Sequence, residues 1–308
     1  MDVLLIFRQM LVMLIFLVIG VIASRFGVMD EEFNRRYTNF NLLIPQTGMI
    51  LNSILGAGAE ISAGRALAIL GLGFLMYAIL VGLGLLTPIL YRCKPGDRGI
   101  YSFMTIFGNT GFLGIPVVKS VLGAEAGMYA ALLNIPFNLL AYTVGIAMLA
   151  GGRAQGKSFD WKLILNAPLI VSVLSVILLC FHVQLTGPIG TATELLGDMI
   201  LPGSMLIIGA SLGQQKLKDV FGDWRVYLFA PMRLIAVPII LWGILHFVVK
   251  DPIFLGAMVL QGAMPVAAFA TMLSIRYGGN VQMASKTVFV TTVLSVATIP
   301  LVVALLPL

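Results

Sequence analysis

Two short stretches gather polar groups and helix breakers inside runs that are otherwise apolar. One reads Phe107-Gly108-Asn109-Thr110-Gly111-Phe112-Leu113-Gly114-Ile115-Pro116, the other Gln261-Gly262-Ala263-Met264-Pro265-Val266-Ala267. Glycine relaxes the backbone and proline removes a donor, so each stretch is expected to interrupt a helix. In lipid every backbone donor and acceptor must find a partner. An interrupted helix is therefore tolerated only where it is buried in protein or lines a wet cavity. The N-terminus of the half-helix that follows a break carries free N–H groups and partial positive charge, which suits an anion. Two such breaks in corresponding places of two halves are the pattern expected of an inverted-repeat carrier that holds its ligand between them.

Asn109 lies on the first break. Its amide can donate to a carboxylate and accept from a hydroxyl or an indole N–H, so it is the first candidate for a substrate contact. The alternative is a cap on the following half-helix. Thr110 offers a hydroxyl beside it, and Gln261 adds a polar group to the second break. Pro116 and Pro265 are read as break geometry. Gly108, Gly111, Gly114 and Gly262 are expected to let the crossing backbones approach closely. Arg233, inside the eighth apolar run, is the deepest full charge. It could hold a carboxylate bidentately, snorkel to the edge near Trp224, or pair with a carbonyl freed by a broken helix. Asn134 and Asn138 share one helix face, where they would face the site or stitch helices together. Gln46 and Ser211 would line a wall or serve as packing groups.

The acidic residues, Asp2, Asp30, Glu31, Glu32, Glu60, Asp97, Glu125, Asp160, Glu194, Asp198, Asp219, Asp223 and Asp251, all fall at span ends or in connections. A cation exchanger would be expected to carry a carboxylate near the bilayer centre. Its absence favours an anion at the half-helix ends, although proton or sodium coupling through backbone carbonyls stays open. No Ser–His or paired-Asp arrangement and no GxxxxGK[ST] run is present, so neither an enzyme nor an ATP motor is expected. His182 and His246 read as interfacial, Trp161, Trp224 and Trp242 as interface or packing residues. Cys93 and Cys180 form no CxxC or metal cluster, and no cofactor or metal is expected.

Composition sets the solvent for these groups. Hydrophobic residues make up 59% of the 308 and charged residues 10%, and the mean hydropathy is +1.03. Apolar runs of about 20 residues span a hydrocarbon core. They predict ten transmembrane helices near 3–23, 36–57, 64–91, 99–120, 126–150, 161–182, 195–213, 226–249, 253–277 and 281–306. The runs lack the alternation of an outer-membrane strand. Alternate connections carry Arg25, Arg35, Arg36, Arg92, Lys94, Arg98, Arg153, Lys157, Lys162, Lys216, Lys218, Arg225, Arg276 and Lys286. The other connections carry only Arg8, Arg65, Lys119 and Lys250. This bias puts the first set in the cytoplasm and both termini outside, in a multi-pass protein of the cell membrane. It also accounts for the net charge of +6 without nucleic acid as a partner. Residues 1–151 and 161–308 read as two five-helix repeats, inverted because five is odd, joined by a short connection at 152–160. Leu43-Ile44-Pro45 in the second span echoes Ile200-Leu201-Pro202 in the seventh.

Gly108 to Pro116, the ninth-span Ala263-Met264-Pro265-Val266-Ala267, Met232-Arg233-Leu234-Ile235-Ala236-Val237-Pro238 and Leu206 to Gly213 together resemble the auxin efflux carrier family. That family includes plant PIN auxin exporters and bacterial malonate-type permeases. The resemblance covers essentially the whole chain. It departs from plant members in its short Gly151–Asp160 connection, which sets loop phosphorylation aside. The resemblance implies an architecture of the sodium/proton antiporter and bile-acid symporter type, with broken helices 4 and 9 crossing. Spans 1, 2, 6 and 7 would form a scaffold, expected to be a homodimer, and spans 3–5 with 8–10 a transport domain moving by an elevator-like cycle. The partner implied is a mono- or dicarboxylate. A sodium-coupled symporter of the bile-acid type is the alternative.

Overall fold

The computed structural model describes residues 3–55, 63–151, 165–181, 183 and 185–305. The 152–160 connection, Trp161 and His182 lie outside the described residues. Every regular element among the described residues is a helix. In the first half these are α1 (Val3–Arg25), α2 (Glu31–Leu43), α3 (Pro45–Leu55), α4 (Ala63–Leu90), α5 (Arg98–Ile106), α6 (Ile115–Leu122), α7 (Ala124–Leu140) and α8 (Ile146–Gly151). The second half holds α9 (Ala167–Cys180), α10 (Gly187–Asp198), α11 (Ile200–Gly213), α12 (Leu217–Phe221), α13 (Trp224–Pro231), α14 (Val237–Leu245), α15 (Pro252–Gly262), α16 (Phe269–Tyr277) and α17 (Val281–Leu305). Among the described residues five helices are long and apolar enough to cross a membrane: Gly64–Leu90, Ala124–Ala150, Gly187–Gly213, Trp224–Leu245 and Val281–Leu305. Thr110–Leu122 and Pro252–Gly262 are apolar but short, because each abuts a break.

Two starts differ from the hydropathy reading. The second span begins at Glu31, where Asp30 accepts a hydrogen bond from the Phe33 N–H at 2.7 Å. Capping and two acidic residues in the first turn start this helix before the apolar run does. The seventh begins at Gly187, with Pro188 in its first turn, in a stretch too polar to register as membrane. Both spans are interrupted part-way, at Ile44 and at Met199.

Small residues set the closest helix pairs. α1 packs along α11. A side chain on Gly20 would meet the Leu206 backbone, and one on Gly209 the Leu17 carbonyl. α3 packs on α9 and α10, with Gly197 against the Met49 backbone. α4 packs on α5 and α7, while α14 packs on α15 and α13 on α17. Polar contacts tie the halves at the outer ends of this second group. Asn280 donates to Asp97 at 2.8 Å, and the Tyr129 hydroxyl donates to Asp251 at 3.0 Å.

Candidate functional site

α5 stops at Ile106 because Gly108 and Asn109 leave the helical path, and α15 stops at Gly262 before Pro265. The two unwound segments lie against each other. Asn109 N–H donates to the Pro265 carbonyl at 2.7 Å and Ala267 N–H to the Phe107 carbonyl at 3.0 Å. Gly108 and Val266 thereby form an antiparallel bridge, isolated from any sheet. Each break thus supplies the backbone partners the other lacks, which meets the demand that lipid imposes. Past the first break the chain restarts in a widened π-helical turn, Thr110–Gly114. Pro116 has no N–H to return to Phe112, and a wider turn accommodates that loss. The second half-helix restarts at Phe269.

A cavity sits where both restarts open. Met49, Gly108, Asn109, Thr110, Gly111, Asn134, Ala267 and Phe269 are among its lining residues, and it holds about 10 Å³ of free space. That is room for about one water molecule, so a carboxylate could enter only if the cavity widens. The N-terminal ends of Thr110–Leu122 and α16 both face it, and no carboxylate lines it. Phe137 lines it too, and the rings of Phe107, Phe137 and Phe269 pack in series with centroids 5.6 and 5.8 Å apart.

The sequence-predicted residues divide around this point. Asn109 is buried and occupies the N-cap position, but its side chain makes no capping hydrogen bond. Thr110 also lines the cavity, yet its hydroxyl is committed: it donates to Asn134 Oδ1 at 2.8 Å, while Asn134 Nδ2 donates to the Ala130 carbonyl at 3.0 Å. Gln261 lies outside the lining and donates to the same Ala130 carbonyl at 3.2 Å, with its Oε1 unpaired. Asn138 and Gln46 are fully buried, and both amide atoms of each lack a partner. Ser211 accepts from Asn34 Nδ2 at 3.0 Å, some way from the crossover in sequence and on α11.

Of the four glycines, Gly108 makes the close backbone approach, its missing Cβ position lying 3.2 Å from the Met264 carbonyl oxygen. Gly114 and Gly262 make room instead for the side chains of Gln261 and Leu241. Gly111 has open surroundings, with Asn134 Oδ1 the nearest atom at 3.7 Å. Pro116 and Pro265 stand at the breaks.

Arg233 does not reach the membrane edge. It lies on a π-helical turn, Met232–Ala236, between Pro231 and Pro238, and is only 1% exposed. Its Nη1 donates to the carbonyl of Gly262, the last residue of α15. This is the contact with a freed carbonyl that the sequence raised as one alternative. His246 stacks on Trp242 with centroids 4.9 Å apart.

A larger hollow of about 710 Å³ opens between α2, α11 and the α16–α17 turn, lined by Asn34, Ser211, Gln215, Ser274 and Arg276 among others. Sequence reasoning missed it. Of the buried polar stripe that Asn34, Thr38 and Asn41 form on α2, Asn34 alone reaches the hollow. Asn34 Oδ1, Thr38 Oγ1 and Asn41 Oδ1 have no partner.

The chain folds as many apolar helices, two of them broken at one crossover, and a family model described as "Membrane transport protein" matches residues 5–303. The chain belongs to the membrane transport protein family. This membrane transport protein is a transporter rather than an enzyme, and the family match bears out the resemblance drawn from the fourth-span motif. It is 25% identical over 308 residues to an "Uncharacterized transporter" of Methanocaldococcus jannaschii, covering 94% of this chain and 96% of that protein. An "Uncharacterized transporter" of Methanothermobacter thermautotrophicus is 24% identical over 297 residues, covering 96% of each. A "Putative malonate transporter" of Rhizobium meliloti is 25% identical over 237 residues, covering 74% of this chain and 72% of that protein.

Proposed function

We propose that this membrane transport protein carries a small organic anion, a mono- or dicarboxylate of the malonate kind, with the crossover cavity as its binding site. One observation carries the reading. The N-termini of two half-helices open on a single buried cavity that holds the uncommitted amide of Asn109 and no carboxylate. Such ends stabilise negative charge, and a desolvated amide donor adds a charge-assisted hydrogen bond. The relative named for malonate supports the substrate class.

The architecture we propose is two inverted five-helix repeats, residues 1–151 and 161–308. The packing of α1 on α11 and of α3 on α9 and α10 supports a scaffold of spans 1, 2, 6 and 7. The paired ties Asp97–Asn280 and Asp251–Tyr129 relate spans 4 and 10 as they relate spans 9 and 5, which fits an inverted pair. In this reading the transport domain, spans 3–5 and 8–10, slides on a scaffold that dimerises. The 710 Å³ hollow is the cytoplasmic approach, since its walls come from connections on the basic side. Both termini are then extracytoplasmic, in the cell membrane.

The test is thermal unfolding of the purified protein with malonate and other small carboxylates. A ligand at 100 times its Kd stabilises the folded state by about 2.7 kcal/mol. We expect that rise in the wild type and its loss in Asn109→Ala, whose own midpoint stays close to wild type. No response of the wild type to any carboxylate, or an undiminished response in Asn109→Ala, would refute the site.

A further inference from the structure

The first half-helices, α5 and α15, both end at the crossover with their C-termini. Free carbonyls and partial negative charge gather there, beside the positive restarts. Unwound carbonyls and half-helix C-termini are the groups that bind a coupling cation in membrane carriers. In this chain a side chain already stands among them. Arg233 Nη1 donates to the Gly262 carbonyl at the end of α15. Its Nη2 rests on Gly108, at the place a Cβ would fill, next to the Met264 carbonyl. The guanidinium therefore touches both breaks at once.

We propose that Arg233 is a resident cation of the crossover. Its tethered guanidinium fills the place that a mobile alkali cation would otherwise occupy, so the carrier takes its anion without co-binding one. Three observations carry this. Among the described residues no carboxylate is in salt-bridge reach of Arg233, so its counter-charge is the helix ends themselves. Its Nε is buried without a partner; a guanidinium held for a full set of hydrogen bonds would not leave that donor idle, and an unpaired buried donor costs free energy. Gly108 lines the cavity and Arg233 does not, so the charge acts on a bound anion across one residue without contact, where low dielectric strengthens it. Proline on both sides of the π-helical turn fixes the geometry. A guanidinium keeps its charge throughout the physiological pH range, so this cation is permanent and is no proton switch. The consequence for transport rests on the crossover being the anion site; the cation substitution itself is read from the folded protein.

The experiment is thermal unfolding of the full chain in sodium, potassium or choline chloride. The wild-type midpoint is expected to be the same in all three. Arg233→Met is expected to unfold at a lower midpoint in choline chloride and to recover, saturably, on addition of guanidinium at concentrations that leave the wild type unchanged. Arg233→Lys, which keeps the charge but loses the fork, is expected between the two. A saturable sodium or potassium stabilisation of the wild type would overturn the proposal, and this reading needs no variant to fold. So would an Arg233→Met midpoint equal to wild type, or Arg233→Lys no more stable than Arg233→Met with neither answering to guanidinium. Malonate added to the same samples separates the two readings. Guanidinium rescue without any malonate response sinks the anion site and leaves the resident cation standing; the reverse result sinks only the cation.

Discussion

Gly108 and Gly111 are three residues apart on one break, and an added methyl is expected to act oppositely at the two. At Gly108 the methyl would collide with Arg233 Nη2 and sit 3.2 Å from the Met264 carbonyl oxygen. The flexible guanidinium yields before the backbone does, and with it goes the hydrogen bond to Gly262. A hydrogen bond to a charged group is worth about 1.5–3 kcal/mol. Removing one partner of a buried charge costs about 3–5 kcal/mol in all. Gly108→Ala is therefore expected to lose about 3 kcal/mol or more of stability. At Gly111 the nearest atoms are Asn134 Oδ1 at 3.7 Å and Met49 Cε at 3.8 Å, ordinary contacts, and its backbone is not left-handed. Gly111→Ala is expected to fold as well as wild type, with a gain of up to about 1 kcal/mol from the unfolded chain. Its methyl, however, enters a cavity with only about 10 Å³ free. One methyl in a tight pocket is worth about 1–3 kcal/mol of binding, a loss of about tenfold or more in malonate affinity. Thermal unfolding with and without malonate reads both effects. A double variant, Gly108→Ala with Arg233→Met, should be little worse than Arg233→Met alone, because both remove one interaction. Wild-type stability for Gly108→Ala, or full additivity in the double variant, would refute the reasoning.

Three further outcomes follow from single contacts. Thr110→Val keeps the shape of residue 110 but leaves Asn134 Oδ1 without its donor; a buried orphan acceptor costs about 1–3 kcal/mol, and a midpoint equal to wild type would show the bond to be idle. Gly209→Leu drives a side chain into the Leu17 carbonyl on the tight α1–α11 face; we expect no monodisperse protein on size exclusion, whereas the same change at Gly243, with nothing within 4 Å, should purify normally. In a background with its native cysteines replaced, Asn34→Cys is expected to react with a membrane-impermeant maleimide from the cytoplasmic side alone, because Asn34 lines the 710 Å³ hollow. In the wild type, where Cys93 is present, the same reagent is expected to label it slowly, since burial, and after it Asp97, raises its thiol above the usual range; the thiolate that attacks maleimide is then scarce at neutral pH and increases as pH rises. Labelling of Asn34→Cys from outside only would invert the proposed topology.

Much of the fold was legible because its signals are local. Apolar runs, the Gly-Asn and Met-Pro interruptions and the basic connections are each written within about 20 residues, the length a bilayer imposes. Hydropathy marks only the apolar part of the second span, because Asp30, Glu31 and Glu32 begin its helix outside the apolar zone. For the same reason it passed over Asn34, Thr38 and Asn41, whose helical spacing matters only once that helix is extended. The candidate site was legible as a list of residues but not as a place. Asn109, Thr110 and Asn134 line the cavity, while Gln261 and Asn138, polar and equally plausible by spacing, do not.

Residue types alone place the chain in a membrane, mark where two of its helices break, and single out the few polar groups within its apolar runs. Those properties depend on residue type and on neighbours within a turn or two. Tertiary structure decided which break meets which backbone and what Arg233 does with its charge. The Asn109–Pro265 and Arg233–Gly262 hydrogen bonds join residues far apart or on separate helices. In lipid an exposed carbonyl must find a donor somewhere, and only the packed fold specifies where.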